Sequence, residues 1–134
     1  VRKDDMKDKD DNLIAENVVR ALGDLRLHAM RSEYAVHEAI ATCLRAAGIA
    51  FEHEVRVGSR CRVDFLCAGG VAIEVKRGKP ITRVVAEQVE RYCMCDPVRA
   101  LVLVTERGLQ QVVTEAHGKP VRTVTLAENW GIAL

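Results

Sequence analysis

Three side chains grouped around one tight turn carry chemistry: Asp64, Glu74 and Lys76. Carboxylates bind hard cations, and an ammonium steadies developing negative charge. Between them lies Ala68-Gly69-Gly70, a glycine-marked hairpin turn. The flanking runs, Cys61 to Cys67 and Val71 to Lys76, are rich in strand formers. Side chains alternate faces along a strand. Val63 and Phe65 therefore share one face, with Asp64 on the other. Ile73 and Val75 share one face of the next strand, with Glu74 and Lys76 opposite. Pairing Cys67 with Val71 across the turn puts Asp64 opposite Glu74 and Lys76 opposite Arg62. A bulge at the glycines would shift this by one position.

Two carboxylates facing each other across a hairpin repel, and their apolar neighbours put them inside a sheet rather than on a rim. A bound cation removes the conflict. Oxygen ligands with an open coordination sphere suit Mg²⁺ or Mn²⁺. Lys76 emerges beside that cation, where it can orient a water or neutralise a phosphorane. The plainer reading is a surface hairpin with cross-strand ion pairs. The spacing Asp–x(9)–Glu–x–Lys on one strand face favours the metal site.

The stretches Arg62-Val63-Asp64-Phe65 and Ile73-Glu74-Val75-Lys76 resemble the PD-(D/E)XK nuclease superfamily. That group includes restriction endonucleases, Holliday-junction resolvases, RecB-type exonucleases and small phage nucleases. The resemblance covers roughly Ser32 to Thr105. Val63 stands where a proline usually precedes the first acid. The resemblance implies a restriction-endonuclease-like α/β core and a Mg²⁺- or Mn²⁺-dependent deoxyribonuclease, serving DNA repair, restriction or a phage. It implies that Asp64 and Glu74 bind the metal, that the Val75 carbonyl adds a ligand, and that Lys76 assists the attacking water.

Many members of the group carry a further acid on the helix before the strands. Glu33 and Glu38 are the candidates. At about 100° per residue, Val36, Ile40, Leu44 and Ala47 form the buried face. Glu33 lies close to that face, His37 at its edge, and Glu38 nearly opposite. Glu33 can look inward as a catalytic acid; its plainer role is to complement the helix dipole. His37 resembles the helix histidine that touches the metal in RecB-type members, although such a residue is also a common structural one. Gln88 and Tyr92 are one helical turn apart. Gln-Val-Glu-Arg-Tyr resembles the Q-x-x-x-Y segment after the lysine strand, where the glutamine fixes the lysine or contacts phosphate. Tyr92 reads alternatively as core.

Between Arg56 and Arg83 seven basic residues stand against two acids. Beside a metal-binding hairpin, Arg60, Arg62, Arg77, Lys79 and Arg83, with Tyr92, become candidates for gripping nucleic acid. With two Phe, two Tyr and one Trp, a stacking platform is disfavoured, so backbone contact should dominate base reading.

The elements that must position these residues follow from periodicity. Residues 1–12 alternate charges and read as a frayed start. Leu13 to Met30 reads as an amphipathic helix with Ile14, Val18, Leu22, Leu25 and Ala29 on one side, weakened by Gly23. It packs on the core or meets a partner subunit. Ser32 caps a second helix that Gly48 ends. Phe51 to Val57 precedes the hairpin as a strand. A third helix runs from about Arg83 to Cys95, and Asp96-Pro97 breaks it. Arg99 to Thr105 holds a continuous apolar run that fits a strand covered on both faces. A short helix over Leu109 to Ala116 and a strand over Pro120 to Leu126 close the chain. The class is α/β with a mixed sheet, divided into a prefix of residues 1–31 and a nuclease domain of residues 32–134.

A chain of 134 residues, 49% hydrophobic and 29% charged, suits one globular domain. Net charge of +1 announces no nucleic-acid binding by itself, so a local patch must supply it. No apolar run reaches bilayer length, no signal peptide is evident, and the start at Val1 reads as a processed or trimmed piece. Five cysteines, an odd number, argue against a disulfide framework and for a reducing cytoplasm. A thiolate cluster of Cys61, Cys67, Cys93 and Cys95 lacks the usual spacing. A homodimer follows from the need to cut two strands, with the prefix helix as interface. The rival readings are a non-catalytic nucleic-acid-binding module and an interaction domain with a purely structural hairpin.

Overall fold

The computed structural model describes residues 3–23, 25, 32–79, 81–109 and 113–126. Three helices and six strands follow in the order α1 (Lys3–Leu22), α2 (Glu33–Ala46), β1 (Phe51–Gly58), β2 (Cys61–Cys67), β3 (Val71–Lys76), α3 (Thr82–Cys93), β4 (Ala100–Thr105), β5 (Glu115–Ala116) and β6 (Lys119–Thr125) among the described residues. The sheet order is β1-β2-β3-β4-β6-β5. The β1-β2-β3 meander is antiparallel, whereas β3, β4 and β6 run parallel. The protein is thus α/β with an open mixed sheet, as the element order implied.

Each face of the sheet has its own core. Ala15, Val18 and Leu22 of α1 and Val36, Ile40 and Leu44 of α2 pack with Ile73, Val102 and Val104 on one face. Val85 and Val89 of α3 pack with Ala72, Leu101 and Leu103 on the other. Every residue of β4 is buried, which accounts for its unbroken apolar run.

Local signals set most boundaries. The Ser32 hydroxyl accepts the Ala35 N–H at 3.1 Å and starts α2. Gly48 takes φ of 72° just beyond the end of α2, a conformation that favours glycine. Gly69 and Gly70 turn the β2–β3 hairpin with φ of 87° and 86°.

Two expected elements differ. The expected frayed start is helical from Lys3, because polar contacts to Arg99 and Arg122, distant in sequence, hold its polar side. Asp11 is 4% exposed and lies 3.0 Å from Arg99. Glu16 and Asn12 both accept from Arg122, each at 3.0 Å. The helix also stops at Leu22, and residues 24 and 26–30 of the expected span lie outside the described residues, Ala29 with them. The expected helix over Leu109 to Ala116 gives way to β5 at Glu115–Ala116, which pairs with β6. His117 and Gly118, with φ of 50° and 71°, make that hairpin possible. Residues 110–112 of the expected helix lie outside the described residues.

Candidate metal centre at the β2–β3 seam

The hairpin register is the one its turn dictates. Cys67 pairs with Val71, Leu66 with Ala72 and Phe65 with Ile73. The ladder then stops, and the next positions are Asp64 and Glu74. Their carboxylates take over as acceptors. The Asp64 N–H donates to Glu74 Oε1 at 3.1 Å, and the Val75 N–H donates to Asp64 Oδ2 at 2.7 Å. Two acids therefore fill the opening between strands, each occupied on one side by backbone.

β2 itself turns over at this point. Cys61 and Val63 belong to the core beneath α3, whereas Phe65 and Cys67 belong to the core beneath α1 and α2. Regular alternation would keep all four on one side. The expectation that Val63 and Phe65 share a face is corrected accordingly. The β1–β2 ladder skips the same place, running from His53↔Phe65 to Val55↔Val63. Glu54, between them, has φ of 55°. This twist brings Asp64 toward α2 while Glu74 stays on the α3 side.

Glu74 is buried. Its Oε2 accepts the Tyr92 hydroxyl at 3.0 Å and the Lys76 ammonium at 3.3 Å. Burial, and then the nearby charge of Asp64, push its carboxyl up to about 7; Lys76 and Tyr92 oppose this. The Tyr92 hydroxyl is pushed up in turn, by its own burial first and by Glu74 second.

On the other side of Asp64 stands His37, 7% exposed. Its Nε2 lies 3.8 Å from Asp64 Oδ2 and 3.8 Å from Glu33 Oε1. That nitrogen is buried and has no hydrogen-bond partner. A buried imidazole nitrogen between two carboxylates, too far from either for a hydrogen bond, is what a cation would satisfy. Ligand atoms of Glu33, His37 and Asp64 all lie within 4.8 Å of one another, and so do those of His37, His53 and Glu54. Imidazole nitrogen with carboxylate oxygens is a donor set that can hold a divalent cation.

No protein-family model, curated protein or solved structure matches the chain. The geometry alone must therefore speak for the site.

It brings together Asp64, Glu74, Lys76, Tyr92, His37 and Glu33. Glu33, expected to look inward, is instead 69% exposed and reaches the cluster only from its rim, 3.8 Å from His37 Nε2; there it is a ligand candidate, a role the sequence did not suggest. Val75 contributes its N–H to Asp64. Lys76, expected opposite Arg62, turns to Glu74 instead, and Arg62 pairs with Glu54 at 2.8 Å. Tyr92, expected among the phosphate-gripping residues, is buried beneath Glu74. Gln88 is half-buried on α3, and its Oε1 is buried without a partner. Of the basic candidates, Arg60, Lys79 and Arg83 are exposed, whereas Arg77 leans on Glu106 at 3.2 Å. His53 and Glu54 were missed. Only the β1–β2 register puts them beside the site, and no turn motif in the sequence sets that register.

The five cysteines are free. Among the described residues no helix is long and apolar enough to cross a membrane.

Proposed function

We propose that this chain hydrolyses phosphodiester bonds of DNA with the help of Mg²⁺ or Mn²⁺, on a restriction-endonuclease-like arrangement of α2, β1, β2, β3, α3 and β4. The observation that carries this reading is the interrupted β2–β3 ladder, where Asp64 and Glu74 meet beside the unpartnered Nε2 of buried His37. Asp64, His37 and Glu33 would hold the cation, and Glu74 would connect to that set through the Asp64 N–H. When bound, the cation lowers the pKa of a water and draws charge from a phosphate oxygen.

The chain's own residues have distinct tasks. Lys76 lies beside Glu74 with its side chain 17% exposed, so its ammonium can reach an incoming phosphate and stabilise charge there. Tyr92 and Lys76 hold the Glu74 carboxylate in one orientation. Asp64 is fixed by the Val75 N–H. The exposed Arg60, Lys79 and Arg83 would meet the phosphate backbone in a salt-dependent manner.

The test is incubation of the chain with a supercoiled plasmid and a labelled single strand, in Mg²⁺, Mn²⁺ or EDTA. Cutting with either metal and none in EDTA is expected. Absence of cutting together with absence of metal binding would turn the reading to an interaction domain with a structural hairpin.

A further inference from the structure

The two ring nitrogens of His37 face different surroundings. Nε2 faces the carboxylates of Asp64 and Glu33. Nδ1 lies 2.7 Å from Nε2 of His53. At that separation one ring donates and the other accepts. Which ring donates decides what His37 offers on its far side. If His53 donates, a neutral His37 carries its hydrogen on Nε2 and presents N–H to the carboxylates. If His37 donates from Nδ1, its Nε2 presents a lone pair, the form a metal ligand needs.

His53 is itself well fixed. Its ring stacks on Phe65 with centroids 4.7 Å apart and planes 26° apart. The β1–β2 ladder pairs the same two residues. The acceptor is thus anchored to the sheet, and His37 is anchored to α2.

We infer that His53 is a positioning residue that holds His37 in its Nδ1–H tautomer and so presents Nε2 to a divalent cation shared with Asp64 and Glu33. The inference rests on the metal-site reading above. In passing from the N–H-presenting form to the lone-pair form, His37 gives its Nε2 proton to solvent. The proton in the bond between the rings moves from His53 Nε2 to His37 Nδ1. His53 takes one proton from solvent on its own Nδ1. Both rings stay neutral, and protons released equal protons taken up.

The experiment is a calorimetric Mn²⁺ titration of the full chain, with ¹⁵N spectra of the histidine rings in Mg²⁺. The variants are His53→Phe, His53→Gln, His37→Gln and the double variant His37→Gln/His53→Phe. Phenylalanine keeps a ring against Phe65 but cannot accept a proton; glutamine offers a carboxamide oxygen. His53→Phe should weaken Mn²⁺ binding about 10- to 100-fold. His53→Gln should recover most of that loss. In the His37→Gln background, His53→Phe should add no further loss. The wild-type spectrum in Mg²⁺ should show His37 protonated on Nδ1. Wild-type affinity in His53→Phe, no rescue by His53→Gln, or an additive loss in the double variant would overturn the role of His53 and leave the metal site standing. No Mn²⁺ binding by the wild type would overturn both.

Discussion

Glu74 combines burial, a neighbouring acid and a lysine in one side chain, and its titration makes the first prediction. Its carboxyl is raised from 4.5 to about 7. Between those values the folded chain keeps a proton that the unfolded chain gives up. The contribution to stability is therefore full below the lower value and is lost as pH rises through the upper one. Urea unfolding without metal should show stability falling from pH 5 to pH 8, and Glu74→Gln should flatten that fall. Added Mg²⁺ should stabilise the chain more at pH 8 than at pH 5. Removing the Tyr92 hydroxyl takes a donor from the charged carboxylate, so Tyr92→Phe should cost about 1–2 kcal/mol in the same assay. At this scale much could be read from sequence. Pleat and turn together brought Asp64 to Glu74, and the helical period put His37 against the core, whereas Glu33, one turn earlier, stays exposed. The shared face of Val63 and Phe65 could not be read correctly, because β2 turns over at Asp64. Nor could His53 be found, since the β1–β2 register shifts between Arg56 and Gly58.

Among the elements, α2 and the β2–β3 hairpin set the geometry of the site. The cap at Ser32 fixes the turn of α2 that carries Glu33 and His37. Ser32→Ala should cost about 1 kcal/mol on thermal unfolding, and it should also weaken Mn²⁺ binding by loosening that turn. Gly70 is more demanding. Its φ is 86°, and a Cβ there would lie 2.8 Å from the Pro97 carbonyl oxygen and 2.8 Å from the Arg99 side chain. Gly70→Ala should destabilise the chain by about 2 kcal/mol; an unchanged melting temperature would contradict the packing described for this turn. Strands with strong patterns, such as β4, were legible from composition. The β5 strand was not, because its two residues gain their pairing only from β6.

For the molecule as a whole, the surprise is the first helix. Its charged opening reads as solvent-loving, yet Asp11 is buried against Arg99 and the apolar stripe of Ala15, Val18 and Leu22 is spent inside this chain's own core. The partners lie on β4's approach and on β6, far away in sequence, which is why local patterning did not reveal them. Arg99→Ala would leave a buried carboxylate unpaired and should cost about 3 kcal/mol; a loss confined to fraying of α1 would show that the helix is held elsewhere. Deleting residues 1–23 should lower the melting temperature of the remaining chain rather than merely change its assembly. The layers so held together meet at the β2–β3 seam, where the proposed hydrolysis would take place. The most direct test is single-turnover cleavage of a DNA strand by the wild type and by Lys76→Ala at saturating Mn²⁺, with metal binding measured in both. Lys76→Ala should cut ~100-fold more slowly with Mn²⁺ still bound. Equal rates in the two proteins would contradict it, because the cutting would then owe nothing to the hairpin.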